Sequence, residues 1–207
     1  MGRSFVSPAG MGVYMSVILR LQIPPDQLMH LTCAAAVAAC DAVEKAAGLR
    51  PGIKWTNDLV YGGRKLAGIL TELLITPAET AAVIGIGINC AQEESDFPEE
   101  IRSFAGSLAM ASGHSIDRAR IAAALVEAFS EMAENLICGK QEILNAYRRD
   151  CITVGKQISL AKADETRHGY ALDIDDNGAL IVEFSDKHIE TVNAGDVSIR
   201  GMYGYAN

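Results

Sequence analysis

The stretch Lys54-Trp55-Thr56-Asn57-Asp58, followed by Arg64-Lys65-Leu66-Ala67-Gly68-Ile69-Leu70, holds the densest polar cluster in an apolar setting. Lys65 opens a run that is otherwise apolar through Leu70. An ammonium group at the mouth of a buried strand is costly unless it meets an anion. The arrangement suits a pocket for a carboxylate or phosphate, where lysine acts as a point charge. Asp58 has the chemistry to hold Mg²⁺, which takes one or two carboxylates and fills its remaining positions with phosphate oxygens or water. The same residue types also fit a surface ion pair at a strand end with no ligand, and the pattern leaves both readings open.

A second cluster closes the run from Ala81 to Asn89, AAVIGIGIN. Gly85 and Gly87 inside a buried strand mark close approach by a ligand or by another backbone. Asn89 at the strand end carries both a donor and an acceptor, which suits an adenine edge. A packing contact that tolerates glycine, ended by a turn-forming asparagine, is the plainer fit to the pattern alone. The run is not the dinucleotide fingerprint, because no G-x-G-x-x-G opens a helix here.

These residues need a sheet to hold them. Residues 11–20 alternate and favour a strand, which Pro24 and Pro25 stop. Asp26 is placed to cap an alanine-rich helix that runs to Gly48. Ile53 to Trp55, Leu59 to Tyr61 and Lys65 to Ile75 read as strands, with Gly62-Gly63 as a hairpin turn. Residues 92–100 form an acidic loop. Helices follow near 98–111, 116–138 and 141–150. Beyond Cys151 the texture becomes five short alternating runs separated by turns, including Asp175-Asp176-Asn177-Gly178 and Asn193-Ala194-Gly195, which predicts a small barrel.

Composition narrows the class. The chain has 207 residues and a formal charge of −8, with 49% hydrophobic residues. An acidic balance argues against a nucleic-acid surface, though a local basic spot can still bind a small anion. Five cysteines without C-x-x-C spacing and four scattered histidines give no zinc pattern. Reduced, mostly buried thiols in a cytosolic protein are the expectation. No run is long and apolar enough for a membrane span, and the first residues lack the apolar core of a signal peptide.

KWTNDL, then RKLAGIL, then IGIGIN, in this order and spacing, resembles the biotin–protein ligase family. The leading run from Gly2 to Arg20 resembles the family segment directly after its biotin loop. The run from Val154 to Tyr205 resembles the family's C-terminal SH3-like domain. The resemblance implies an α/β (α+β) fold: a mixed sheet backed by helices, as in class II aminoacyl-tRNA synthetases, plus the small barrel. It divides the chain into a catalytic domain at 1–152 and an SH3-like domain at 153–207. It implies activation of biotin by ATP with Mg²⁺ to biotinyl-5′-AMP, then transfer to a lysine of a biotin carboxyl carrier protein such as that of acetyl-CoA carboxylase. A cytoplasmic homodimer is implied as well.

By the same resemblance, Lys65 contacts the biotin carboxylate and the adenylate bridge. Asp58 is tied to the metal or to positioning the lysine. Gly68 and Leu70 wall the biotin pocket, and Gly85 and Gly87 let the ligand approach the backbone. Asn57, Asn89 and Arg200 serve the nucleotide. Arg3 belongs to the biotin loop, and Phe5 falls where the family often has a tryptophan lid. The chain departs from the family at its start. Of the GRGRxGR loop only Gly2 and Arg3 remain, and no helix-turn-helix is present. A shortened ligase of impaired activity is therefore expected. A non-catalytic binding or dimerisation module and a lipoate-type ligase are the alternatives. The AGIL and GIGIN runs and the SH3-like tail favour biotin over lipoate.

Overall fold

The computed structural model describes residues 7–76, 80–162 and 165–199. Two five-stranded sheets and a helical layer make up the fold. The first sheet contains β1 (Gly12–Leu21), β2 (Gly52–Lys54), β3 (Asp58–Tyr61), β4 (Arg64–Ile75) and β5 (Thr80–Asn89), in the order β1-β5-β4-β3-β2. Every ladder described in it is antiparallel. Short turns join β2 to β3 and β3 to β4, and short connections produce hairpins rather than parallel crossovers. Among the described residues, parallel pairing is confined to two isolated bridges, Ile53 with Cys151 and Lys65 with Ala105. Gly62 and Gly63 turn the β3–β4 hairpin with φ of 56° and 76°, the left-handed values that a two-residue hairpin turn demands.

Helix α1 (Leu31–Ala47) packs on one face of this sheet. Its alanines and cysteines are buried almost all round, from Cys33 through Ala42. Small side chains let it sit between the sheet on one side and helices α4 (Arg118–Asn135) and α5 (Lys140–Asp150) on the other. Gly48 ends it in a left-handed conformation. The start differs from expectation. A 3-10 turn occupies Pro25–Leu28, and α1 begins only after His30, without a side-chain cap from Asp26. Pro24 and Pro25 fix the approach of the chain, and the break at His30 re-aims it.

The helix expected over 98–111 is two short ones, α2 (Glu99–Arg102) and α3 (Leu108–Ser112). The chain between them bonds to β4: Lys65 N donates to Phe104 O at 2.7 Å, and Gly106 N donates to Lys65 O at 2.9 Å. Those backbone groups cannot serve a helix at the same time.

The second sheet contains β6 (Gln157–Lys162), β7 (Glu165–Ile174), β8 (Leu180–Phe184), β9 (Ile189–Val192) and β10 (Asp196–Ile199), in the order β10-β6-β7-β8-β9. Alternating residues Ile158, Leu160, Ala171, Leu180, Val182 and Phe184 fill its buried side. This is the SH3-like β unit, made of the five alternating runs. Cys33, Cys40, Cys90 and Cys151 are buried and Cys138 is exposed. Burial pushes the Cys33 thiol up to about 12, which keeps it protonated and inert.

Candidate active site

Strand alternation sends the residues of β4 and β5 to two faces. Ile84, Ile86, Ile88, Ala67 and Ile69 join the buried core. Gly85, Gly87, Gly68 and Leu70 face the other way. The register aligns them into rows. Tyr14, Gly87, Gly68, Asp58 and Lys54 occupy successive ladder positions across all five strands. Ser16, Gly85 and Leu70 form the next row. The result is an open groove of about 580 Å³ with a glycine floor, within the ~300–1,000 Å³ usual for small-molecule sites. A Cβ placed on Gly85 would meet nothing nearer than the Leu70 carbonyl oxygen at 3.9 Å. The space above that backbone is open to a ligand.

Lys65 stands at the rim, its Nζ 2.6 Å from Asp58 Oδ1, with the two side chains 31% and 18% exposed. Half-buried and paired, they form a charge site that an anionic ligand can enter by competing for the lysine. A bulge between Leu59 and Val60 brings them together by shifting the register so that Lys65 lies opposite Val60. Asn57 Nδ2 donates to Ile69 O at 2.5 Å, and Ile69 N donates back to Asn57 O at 3.0 Å, so the loop before Asp58 is stitched to β4. The peptide bond between Trp55 and Thr56 is cis.

Asn57, Asp58, Lys65, Gly68, Leu70, Gly85 and Gly87 all line this groove. Asn89 does not. It is buried, with Nδ2 donating to Gly106 O at 3.0 Å and Oδ1 accepting from Gln92 Nε2 at 3.0 Å. Its amide faces the protein, just past the glycine row. Arg3, Phe5 and Arg200 lie outside the described residues. Tyr14 and Ser16 line the groove and escaped the sequence reading. Strand alternation would put them on one face, but only the pairing of β1 with β5 brings that face to the glycines. Burial raises the Tyr14 phenol above its ordinary value, with nearby Cys90 adding to the effect and Gln92 and Arg118 opposing it.

Among the described residues, Asp58 is the only one lining the groove with a carboxylate, and no group of three or more His, Cys, Asp or Glu side chains is placed to hold a metal ion. A single carboxylate has lone pairs for more than one partner. That donor set fits Mg²⁺ only when ligand phosphates supply most of the coordination.

An antiparallel sheet with one helix-packed face and one glycine-floored face, joined to a second five-stranded sheet, is a fold shared with solved structures. The structure superimposes on the biotin protein ligase from Aquifex aeolicus in complex with biotin and ATP, with a TM-score of 0.79 at 24% identity, over 96% of this chain and 82% of that one. Residues 1–89 match the Biotin/lipoate A/B protein ligase family, and residues 153–200 match the Biotin protein ligase C terminal domain. The Biotin--[acetyl-CoA-carboxylase] ligase of Mycobacterium tuberculosis is 31% identical over 95% of this chain and 72% of its own length. The chain belongs to the biotin protein ligase family. The Bifunctional ligase/repressor BirA of Bacillus subtilis is 36% identical over 96% of this chain, and the chain spans 62% of that relative's length.

Proposed function

We propose that the chain carries the ligase chemistry of its family: ATP-dependent activation of biotin to biotinyl-5′-AMP, then transfer of the biotinyl group to a lysine of a biotin carboxyl carrier protein. The observation that carries this reading is the Lys65–Asp58 pair on the rim of the glycine-floored groove. A biotin carboxylate and an α-phosphate repel each other, and fixed positive charge at their meeting point offsets that repulsion. In the first step a carboxylate oxygen attacks the α-phosphorus and the bond to pyrophosphate breaks. In the second the carrier amine attacks the acyl carbon, AMP leaves with the bonding pair, and the amine loses a proton.

Lys65 steadies the anionic oxygens in both steps, and Asp58 holds Lys65 until the ligand arrives. Gly68, Gly85 and Gly87 admit the ligand to the backbone, and Leu70 supplies an apolar wall. Mg²⁺, held by Asp58 together with phosphate oxygens, would supply charge neutralisation. Asn57 and Asn89 stand on the nucleotide side, Asn89 through its place at the end of the glycine row. The Biotin protein ligase C terminal domain match supports biotin over a lipoate substrate and supports a division into residues 1–152 and 153–207. No helix among the described residues is long and apolar enough to cross a membrane. Work in the cytoplasm beside a carboxylase is part of this reading. Strand β1 is an edge among the described residues and exposes Ile18 at 65%. An open edge with apolar side chains suits pairing with a second copy.

The test is single-turnover adenylate synthesis, in protein carrying the family's Gly-Arg-Gly-Arg stretch ahead of Gly2. Lys65→Ala is expected to slow it by about 10²–10³-fold, the scale for removing one charge-stabilising group. A near-normal rate removes Lys65 from the mechanism and overturns the reading.

A further inference from the structure

The loop that ends in Asp58 is held from below by the other half of the molecule. Trp55 Nε1 donates to the carbonyl oxygen of Gly178 at 3.0 Å, across 123 residues of sequence. Trp55 N donates to Thr153 Oγ1 at 2.9 Å, and Tyr147 Oη donates to Thr56 O at 2.9 Å. Thr153 lies at the start of the SH3-like unit, Gly178 in its turn between β7 and β8, and Tyr147 on α5. All three bonds converge on two consecutive residues of the loop, directly before Asn57 and Asp58. Trp55 is 4% exposed and Tyr147 and Thr153 are fully buried, so water does not replace these partners when they are lost.

Gly178 is built for this contact. It closes the Asp175–Gly178 turn at φ +85°, and an added Cβ would sit 2.5 Å from Cys33 Sγ on α1. Asp175 Oδ1 accepts from Asn177 N and Ala179 N, each at 2.8 Å, which fixes the turn. Arg148 on α5 donates to Ile174 O at 2.8 Å and to Asp176 Oδ1 at 3.1 Å. The turn is wedged between α1 and the tryptophan, with its carbonyl aimed at the indole.

We infer that Gly178, Thr153 and Trp55 are positioning residues for the groove: the turn of the SH3-like unit latches the loop through Trp55 and so sets where Asp58 presents itself to Lys65. The inference rests on the reading of Lys65 and Asp58 as the ligand-handling pair. The latch makes the second sheet part of the site without its touching a ligand. When the latch opens, the loop relaxes, Asp58 withdraws and Lys65 loses its partner.

The test reads Lys65 itself and needs no turnover. The chain is treated with limiting N-hydroxysuccinimidyl acetate, and the acetylation rate of each lysine is followed by peptide mass spectrometry. Asp58→Asn sets the upper limit for an unpaired Lys65. Trp55→Phe keeps the ring and removes the N–H, and Thr153→Val removes the hydroxyl at nearly constant volume. Each is expected to raise the Lys65 rate by about three- to tenfold, the shift that follows loss of one hydrogen bond. Lys45 and Lys187, which pair with Glu127 and Glu183 far from the loop, should keep their rates. Gly178→Ala should give the largest rise and move the emission of Trp55, the one tryptophan of the chain. Adding Cys33→Ala, which makes room for the new methyl, should recover part of it.

An unchanged Lys65 rate in Trp55→Phe and Thr153→Val overturns the latch, and so does a rise shared by all lysines, which marks general loosening. If the Lys65 rate responds as expected while Lys65→Ala still makes adenylate, the latch stands and the catalytic reading falls.

Discussion

The two faces of β4 and β5 are written by alternate residues of the same strands, yet they do opposite work. On one face Ile84, Ile86, Ile88, Ala67 and Ile69 lie in the buried core and are at most 3% exposed. On the other, three glycines and a 56% exposed Leu70 leave the backbone open. Burial of each large side chain on the first face contributes roughly 1.5–3 kcal/mol. The second face contributes little to stability and supplies a floor on which a ligand can lie. Stability and the proposed ligand contact are thus separated by one residue of register, and a slip of one position would exchange them.

Substitutions on the two faces should separate in the same way. Ile86→Ala removes a fully packed side chain and is expected to cost about 2–5 kcal/mol in denaturant unfolding. Leu70→Ala, on the open face, should cost under about 1 kcal/mol while weakening biotin binding by calorimetry. Equal losses of stability at the two sites would erase the distinction. At Gly85 the stability change is expected to reverse sign. Its backbone is not in the left-handed region and a methyl there meets open space, so Gly85→Ala should stabilise the fold by about 0.5–1 kcal/mol. The same methyl stands on the groove floor and should weaken an adenylate analogue by about tenfold or more. A stabilised Gly85→Ala with unchanged affinity would show that nothing binds against that floor.

Much of this architecture is legible in the sequence because it is local. Alternation marks β1, β4 and β5, Gly62-Gly63 marks the hairpin, and the change of texture at Cys151 marks the second sheet. Lys65 and Asp58 stand out as charges in apolar runs. What stays hidden depends on contacts between distant segments. The break in the helix near 103–107 comes from hydrogen bonds to Lys65, about forty residues earlier. Tyr14 and Ser16 become groove residues only through pairing with β5. The inward turn of Asn89 depends on Gly106 and Gln92. Gly178 reads as an ordinary turn glycine until Trp55 and Cys33 are seen against it.

The most direct test of the central claim is to map where a non-hydrolysable biotinyl adenylate analogue binds, by amide chemical shifts at saturating concentration. The expected shifts fall on Gly68, Leu70, Gly85 and Gly87 and on the Lys65 amide, with α1, α4 and α5 left unmoved. Shifts clustered instead on the helical layer, or on β6 through β10 alone, would contradict the assignment of the glycine-floored face as the ligand site.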